Sequence, residues 1–183
     1  MAIILPKQVW TEEGELLFQK SEKVADFNQA RETADSLKKT LERYGGAGLA
    51  APQIGISQRI FVVNISPDNN YYPDLPKVSF RAYLNPEILA VSSETNYDTE
   101  GCLSVFYGTL YGPVERGNYL KLRYWDISGK EQIEEINQPL YARLVLHEND
   151  HLDGKIFLQR MSPENLSKLS WYENLDIRKK DLK

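Results

Sequence analysis

At 183 residues, 42 % hydrophobic and 26 % charged, the chain has the composition of a globular protein long enough to bury a core in one domain spanning residues 1–183. A net charge of -4, a pI near 5.3 and the absence of a Lys/Arg stripe argue against nucleic-acid binding. One cysteine excludes an internal disulfide and fits a reducing compartment. The apolar opening Met1–Leu5 is too short for a signal peptide and no stretch reaches the length of a membrane span, so a cytoplasmic location is expected.

Residues 1–27 are mixed, with a turn expected at Glu13-Gly14. From Asn28 to Tyr44, Ala30, Ala34, Leu37, Leu41 and Tyr44 recur at helical spacing, and Gly45-Gly46 end the pattern. A Gly/Ala-rich loop is expected from Gly46 to Gly55, and a β-branched strand from Arg59 to Ile65. Residues 66–78 are polar and turn-rich, carry Tyr71-Tyr72, and predict a surface loop. Ala82 to Val91 predicts a strand whose Asn85-Pro86 marks an edge or a bulge. Tyr119–Trp125 and Glu131–Ile136 alternate around the turn Ser128-Gly129-Lys130, the pattern of a hairpin.

Pro139 to Leu152 predicts a helix with proline in its first turn and Asp153-Gly154 as its stop. At about 100° per residue, Leu140, Leu144, His147 and His151 share a narrow arc, so both imidazoles point inward. Ser162-Pro163 opens a last helix, with Leu166, Leu169, Tyr172 and Leu175 on its apolar side. The basic end, Arg178-Lys179-Lys180 and Lys183, reads as a solvated helix terminus. Helix, several strands, helix, helix, without regular βαβ alternation, argues for an α+β fold. Partly antiparallel sheets would pack around a central metal-binding helix, with helices towards both ends.

The chemistry concentrates in three stretches. His147 and His151, the only histidines, stand four apart with Glu148 between them; on a helix the pair can grip one metal ion, with Glu148 as general base. Cys102, the only thiol, is the candidate third ligand, leaving a fourth position for water; the competing reading is a small buried apolar residue. The longer peptidase pattern His-Glu-x-x-His-x-x-Gly-x-x-His fails at Phe157, and the downstream glutamates Glu164 and Glu173 fall in the expected last helix. The third stretch, Gly46 to Gly55, lets a backbone run close to a ligand, and Gln53 could aim an amide at an oxyanion; a tight helix-to-strand loop would read the same way.

Together, Gly46-Ala47-Gly48-Leu49-Ala50-Ala51-Pro52-Gln53, Glu100-Gly101-Cys102-Leu103-Ser104 and His147-Glu148-Asn149-Asp150-His151-Leu152 resemble the three ordered motifs of the peptide deformylase family. The resemblance implies removal of the formyl group from nascent formyl-methionyl polypeptides, at the ribosome. It implies one divalent ion, Fe²⁺ in the cell and Zn²⁺, Ni²⁺ or Co²⁺ after purification, held by Cys102, His147 and His151. Glu148 would act as acid and base, while Gln53 and the Leu103 N–H would stabilise the oxyanion. Gly48 would pair with substrate backbone, and Ala47, Leu103 and Leu144 would line the methionine pocket. Asp150 could orient either histidine, or be a solvated helix acid; Glu100 is expected to pair with Arg116. The runner-up reading is a zinc-type metallopeptidase, or a deformylase-like paralogue with an altered substrate.

The chain departs from the family between Val105 and Arg116. The stretch is longer than usual and lacks the pocket-rim arginine. Phe106, Tyr107 and Tyr111 either line a more apolar entrance or pack on the surface. Leu146 stands where glutamine is usual, and the 66–78 loop is extended.

Overall fold

The computed structural model describes residues 4–65 and 75–171. A 3-10 helix, Glu12–Phe18, occupies the segment expected to hold only a turn. Helix α1 spans Phe27–Tyr44, capped by Asp26, whose carboxylate accepts from the N–H groups of Asn28 and Gln29. Its stripe of Ala30, Ala34, Leu37 and Leu41 is buried against the first sheet. Gly45 ends it at φ 73°.

The first sheet is antiparallel with order β1-β2-β3-β6-β7: β1 Gly48–Ala50, β2 Ile60–Ile65, β3 Val78–Val91, β6 Leu120–Trp125 and β7 Glu131–Ile136. The expected 59–65 strand and the hairpin are present. The Gly/Ala-rich loop is more ordered than expected, holding β1 and the 3-10 turn Ala51–Ile54. Residues 66–74, including Tyr71-Tyr72, lie outside the described residues. Strand β3 is central, and Asn85-Pro86 is its bulge: pairing slips between Leu84 and Glu87. Asn85 takes φ 48°, and its amide bridges back to Val24, accepting from N–H at 2.7 Å and donating to C=O at 2.9 Å.

Sheets in the plural were expected around the metal-binding helix, but the strands of the second one were not. That sheet comprises β4 Thr95–Gly101, β5 Leu110–Gly117 and β8 Ser170–Trp171, with β5 in the middle. Strand β5 contains Gly112 and Pro113, and β4 exposes most of its side chains, so neither carries a strong apolar alternation.

Helix α2, Pro139–Leu152, packs against β1 and β2 of one sheet and β5 of the other. Gln138 caps it, accepting from the Tyr141 N–H. Gly154 turns the chain at φ 69°, as the sequence led one to expect. The long last helix is corrected: α3 is only Pro163–Leu166, capped by Ser162, after which the chain extends into β8. Leu169 packs onto the core around Cys102, Val105 and Phe157 as part of that connection. Residues 172–183, with Tyr172, Leu175 and the basic end, lie outside the described residues. No helix among the described residues is long and apolar enough to cross a membrane.

Replacing Asn85 by alanine removes two hydrogen bonds and leaves a side chain ill-suited to positive φ. Asn85→Ala is expected to cost about 2–3 kcal/mol in urea denaturation, and Asn85→Gly less, because glycine recovers the backbone part. Wild-type stability of the alanine variant would refute this account of the bulge.

Candidate metal centre and active site

The two histidines come from one face of α2 and the cysteine from the end of β4. The candidate donor atoms of Cys102, His147 and His151 all lie within 4.8 Å of one another, and all three residues are buried. Cys102 Sγ is 3.3 Å from His151 Nε2. The imidazoles stand almost perpendicular, 79° apart. Burial pushes the Cys102 thiol up, but the neighbouring imidazoles of His151 and His147 outweigh it and bring it down to about 5. A thiolate with two imidazole nitrogens is a donor set that suits zinc, iron, cobalt or nickel.

Nδ1 of His147 is 2.8 Å from Glu100 Oε2. A carboxylate at neutral pH can only accept, so Nδ1 carries the proton and Nε2 is left with its lone pair for an ion. Glu100 sits in a dense buried network. Arg116 donates to both its oxygens at 2.9 Å, and Arg143 adds a bond at 2.8 Å. Burial raises the Glu100 carboxyl, yet Arg116 and His147 hold it well below the usual carboxylate range. The expected Glu100–Arg116 pair is therefore present, and it is bidentate.

Asp150 is a correction. It is buried, but its carboxylate bonds to arginines and orients neither imidazole. Arg116 Nη1 donates to it at 2.5 Å, and Arg160 Nε at 2.9 Å. It supports the arginine that supports Glu100. Nδ1 of His151 has no partner among the described residues.

Glu148 shares this site. It is 3 % exposed, and burial pushes its carboxyl up to about 7, against the pull of His147 and His151. Gly48 explains how it fits: a Cβ there would meet Glu148 Oε1 at 2.6 Å and Cγ at 2.8 Å. Gly101 answers a similar demand, since a Cβ would stand 2.5 Å from the Tyr111 ring across the β4–β5 pair.

Gln53 is locked. Its Oε1 accepts from the Ala50 N–H at 2.8 Å, which turns Nε2 towards Ser104 Oγ at 3.3 Å and Cys102 Sγ at 3.5 Å. The strip after Cys102 is pinned by the N-terminal segment. Gln8 Nε2 donates to the Leu103 carbonyl at 2.9 Å, and the Val9 N–H to the Ser104 carbonyl at 3.0 Å.

These elements enclose a cavity of about 250 Å³. Ala47, Gly48, Gln53, Cys102, Leu103, Leu144, His147 and Glu148 all line it, so the predicted metal ligands, catalytic groups and substrate-binding residues other than His151 border one space. Leu75, Leu140 and Arg143 also line it and were not foreseen. Among the three aromatics of the divergent stretch, only Tyr111 borders the cavity. Phe106 stacks on Trp10 at 4.3 Å and meets Trp171 edge-on at 5.0 Å, and Tyr107 lies edge-on to Trp10.

Residues 6–167 match the family model of polypeptide deformylase. The chain belongs to the peptide deformylase family. It is a hydrolase that removes the N-terminal formyl group from nascent peptides, and its family is metal-dependent. It is 40 % identical to a peptide deformylase of Thermotoga petrophila over 136 residues, 70 % of this chain and 74 % of that one. It is 38 % identical to one of Chlorobium phaeovibrioides over 168 residues, covering 91 % and 83 %. Among solved structures, a Met-Ala-Ser-bound class I type b peptide deformylase of Acinetobacter baumannii aligns with a TM-score of 0.78 at 36 % identity. That alignment covers 88 % of this chain and 100 % of the other. The Thermotoga maritima peptide deformylase aligns with a TM-score of 0.76 at 31 % identity, covering 89 % and 100 %.

The contact between position 48 and Glu148 gives a direct test. Gly48→Ala is expected to displace the carboxylate, lowering kcat for formate release by at least about tenfold while one bound ion per chain is retained. Full activity would mean that Glu148 can move without consequence.

Proposed function

We propose that Cys102, His147 and His151 hold one divalent ion, Fe²⁺ in the cell, and that Glu148 is the general acid and base of deformylation. The observation that carries this reading is the convergence of three buried donor atoms within 4.8 Å beside a buried carboxylate, in one cavity. Bound there, the ion supplies Lewis acidity towards water and the formyl carbonyl. The protein's own groups do the rest. Glu148 accepts a proton from the attacking water and delivers one to the leaving amine nitrogen, so that an amide and water become formate and a free N-terminus. Its burial suits it to hold that proton in transit. Gln53 Nε2, fixed by Ala50, and the Leu103 N–H donate to the oxygen on which negative charge grows. The bare backbone at Gly48 leaves room for the substrate's main chain. Ala47, Leu103 and Leu144, with Leu75 and Leu140, form the apolar lining for a methionine side chain. The Met-Ala-Ser bound by the Acinetobacter baumannii relative supports a peptide beginning with methionine as the ligand.

The substrates are formyl-methionyl chains emerging at the ribosome, which fits a cytoplasmic location. Iron fits a Cys/His₂ set in which the thiolate is buried at 4 % exposure, although such a set binds several divalent ions. A peptidase reading differs in outcome: it predicts cleavage within an unblocked peptide.

Formyl-Met-Ala-Ser should release formate with no internal cleavage, and chelation should abolish the reaction until Fe²⁺ or Ni²⁺ is restored. Glu148→Gln should keep one ion per chain by elemental analysis and lose about 10²–10⁴-fold in kcat. Internal cleavage of unformylated Met-Ala-Ser would overturn the substrate assignment, and an active Glu148→Gln enzyme the assignment of the base.

A further inference from the structure

Four aromatic side chains collect beside the cavity, around the stretch where the chain departs from its family, and the proposed chemistry uses none of them. Phe106 stacks on Trp10 with ring centroids 4.3 Å apart, Trp171 meets Phe106 edge-on at 5.0 Å, and Tyr107 lies edge-on to Trp10 at 6.1 Å. The rings are not hidden: Trp10 is 48 %, Phe106 42 % and Trp171 58 % exposed. Three adjoining half-exposed rings form a patch of the kind that proteins rarely leave bare without a ligand to cover it. Its frame is fixed. The Tyr107 N–H donates to Gln8 Oε1 at 3.1 Å, and the Phe106 carbonyl accepts from the Thr109 hydroxyl at 2.6 Å and from its N–H at 3.0 Å. Phe106 and Tyr107 are held at φ 47° and 53°, a conformation that costs stability in side chains of this size. The patch is also continuous with the cavity. Gly108, next to Tyr107, and Tyr111 both line that space. Across the second sheet Tyr111 pairs with Ser170 and Leu110 with Trp171, so Trp171 stands one register step from a cavity wall.

We propose that this aromatic patch binds the substrate beyond its third residue: bulky apolar side chains at positions four to six of a nascent peptide lie against Trp10, Phe106 and Trp171 while the first residue occupies the cavity. This rests on the reading of the cavity as the seat of a formylated methionine. Met-Ala-Ser is what the Acinetobacter baumannii relative holds, so the fourth residue is the first that needs a surface outside such a site. An extended chain advances about 3.3 Å per residue, so residues four to six span about 10 Å. The rings Trp10, Phe106 and Trp171, spaced at 4.3 and 5.0 Å, offer a path of that length. Rings select by apolar bulk, so a tail of glycine and serine gains nothing from them. Contact made this far from the formyl group is the same in the ground and transition states, so it lowers KM and leaves kcat alone.

The test measures kcat and KM of the metal-loaded enzyme for formyl-Met-Ala-Ser, formyl-Met-Ala-Ser-Leu-Phe-Leu and formyl-Met-Ala-Ser-Gly-Ser-Gly. The Leu-Phe-Leu tail should lower KM by about fivefold or more relative to the Gly-Ser-Gly tail, at equal kcat. Trp171→Ala should cut that advantage to less than about twofold, while kcat/KM for formyl-Met-Ala-Ser stays within about twofold of wild type. If the alanine variant does not fold, Trp171→Gln carries the same expectation. Equal KM for the two tails in wild type overturns the proposal, as does an advantage that survives the loss of the Trp171 ring. A variant that slows all three peptides alike makes the patch a structural brace and overturns it too. So does one that changes the sedimentation of the protein without changing the tail preference, since the patch is then a contact between copies of this chain. In each of these outcomes the deformylase reading stands. No formate from any of the three peptides with metal-loaded wild type overturns the reading of the cavity, and this proposal with it.

Discussion

The site depends on one buried carboxylate. Glu100 is 5 % exposed, and its two oxygens receive four donors: two from Arg116, one from Arg143 and one from His147. A carboxylate offers about four lone-pair sites, and here they are saturated. Burying a charge without such partners would cost several kcal/mol, so the arrangement is tolerable only as a whole. It ties β4, which carries Glu100 and leads into Cys102, to β5 through Arg116 and to α2 through Arg143 and His147. The carboxylate thereby fixes both the tautomer of a candidate metal ligand and the spacing between the elements that supply the donor set. Asp150 extends the same logic outward, receiving Arg116 from within and Arg160 from nearer the surface.

This explains why α2 breaks the usual pattern of an amphipathic helix. Its buried positions include Arg143, His147, Glu148, Asn149, Asp150 and His151. A helix so polar would not normally be central, because each buried polar group must find a partner. The second sheet meets that need on one side, with Glu100, Arg116 and the carbonyls of Asn96 and Val114. On the other side, Ala142, Val145 and Leu152 pack with Phe61, Val63 and Tyr83. One helix thus serves as core for the first sheet and as chemistry against the second.

The division also accounts for what could be read from the sequence. Helix α1, strand β2, the β6–β7 hairpin and the bounds of α2 follow from apolar periodicity and caps, because their burial is repetitive. The second sheet does not: β4 reads Thr95-Asn96-Tyr97-Asp98-Thr99-Glu100-Gly101, and its inward residues are chosen for hydrogen bonding and turn geometry. Cys102, Gln53 and Glu148 were legible as motifs. The support beneath them was not, since which acid faces which base depends on long-range placement. Asp150, adjacent to His151 in sequence, points to two arginines, while Glu100, far from His147 in sequence, binds that imidazole. Arg143 left one usable signal: it lies four residues before His147 and so on the same helix face. The short C-terminal helix misled for a local reason, since Ser162-Pro163 is a sound helix start that does not specify length.

The remaining departures from folding rules gather at the same place. Oε2 of Glu148 is buried with no hydrogen-bond partner among the described residues. Phe106 and Tyr107 take positive φ in succession, one residue beyond the motif that holds Cys102. Each departure costs stability where an apolar or glycine residue would not. The strain at Phe106 and Tyr107 is offset in part by aromatic contact with Trp10, in a segment where the N-terminal residues also grip Leu103 and Ser104. For Glu148 the described protein offers no such compensation. A carboxylate with a buried oxygen left unpartnered among the described residues, kept close by the missing side chain at Gly48 and pushed towards neutrality by burial, is poorly suited to stabilising a fold. It is well suited to taking a proton and giving it back.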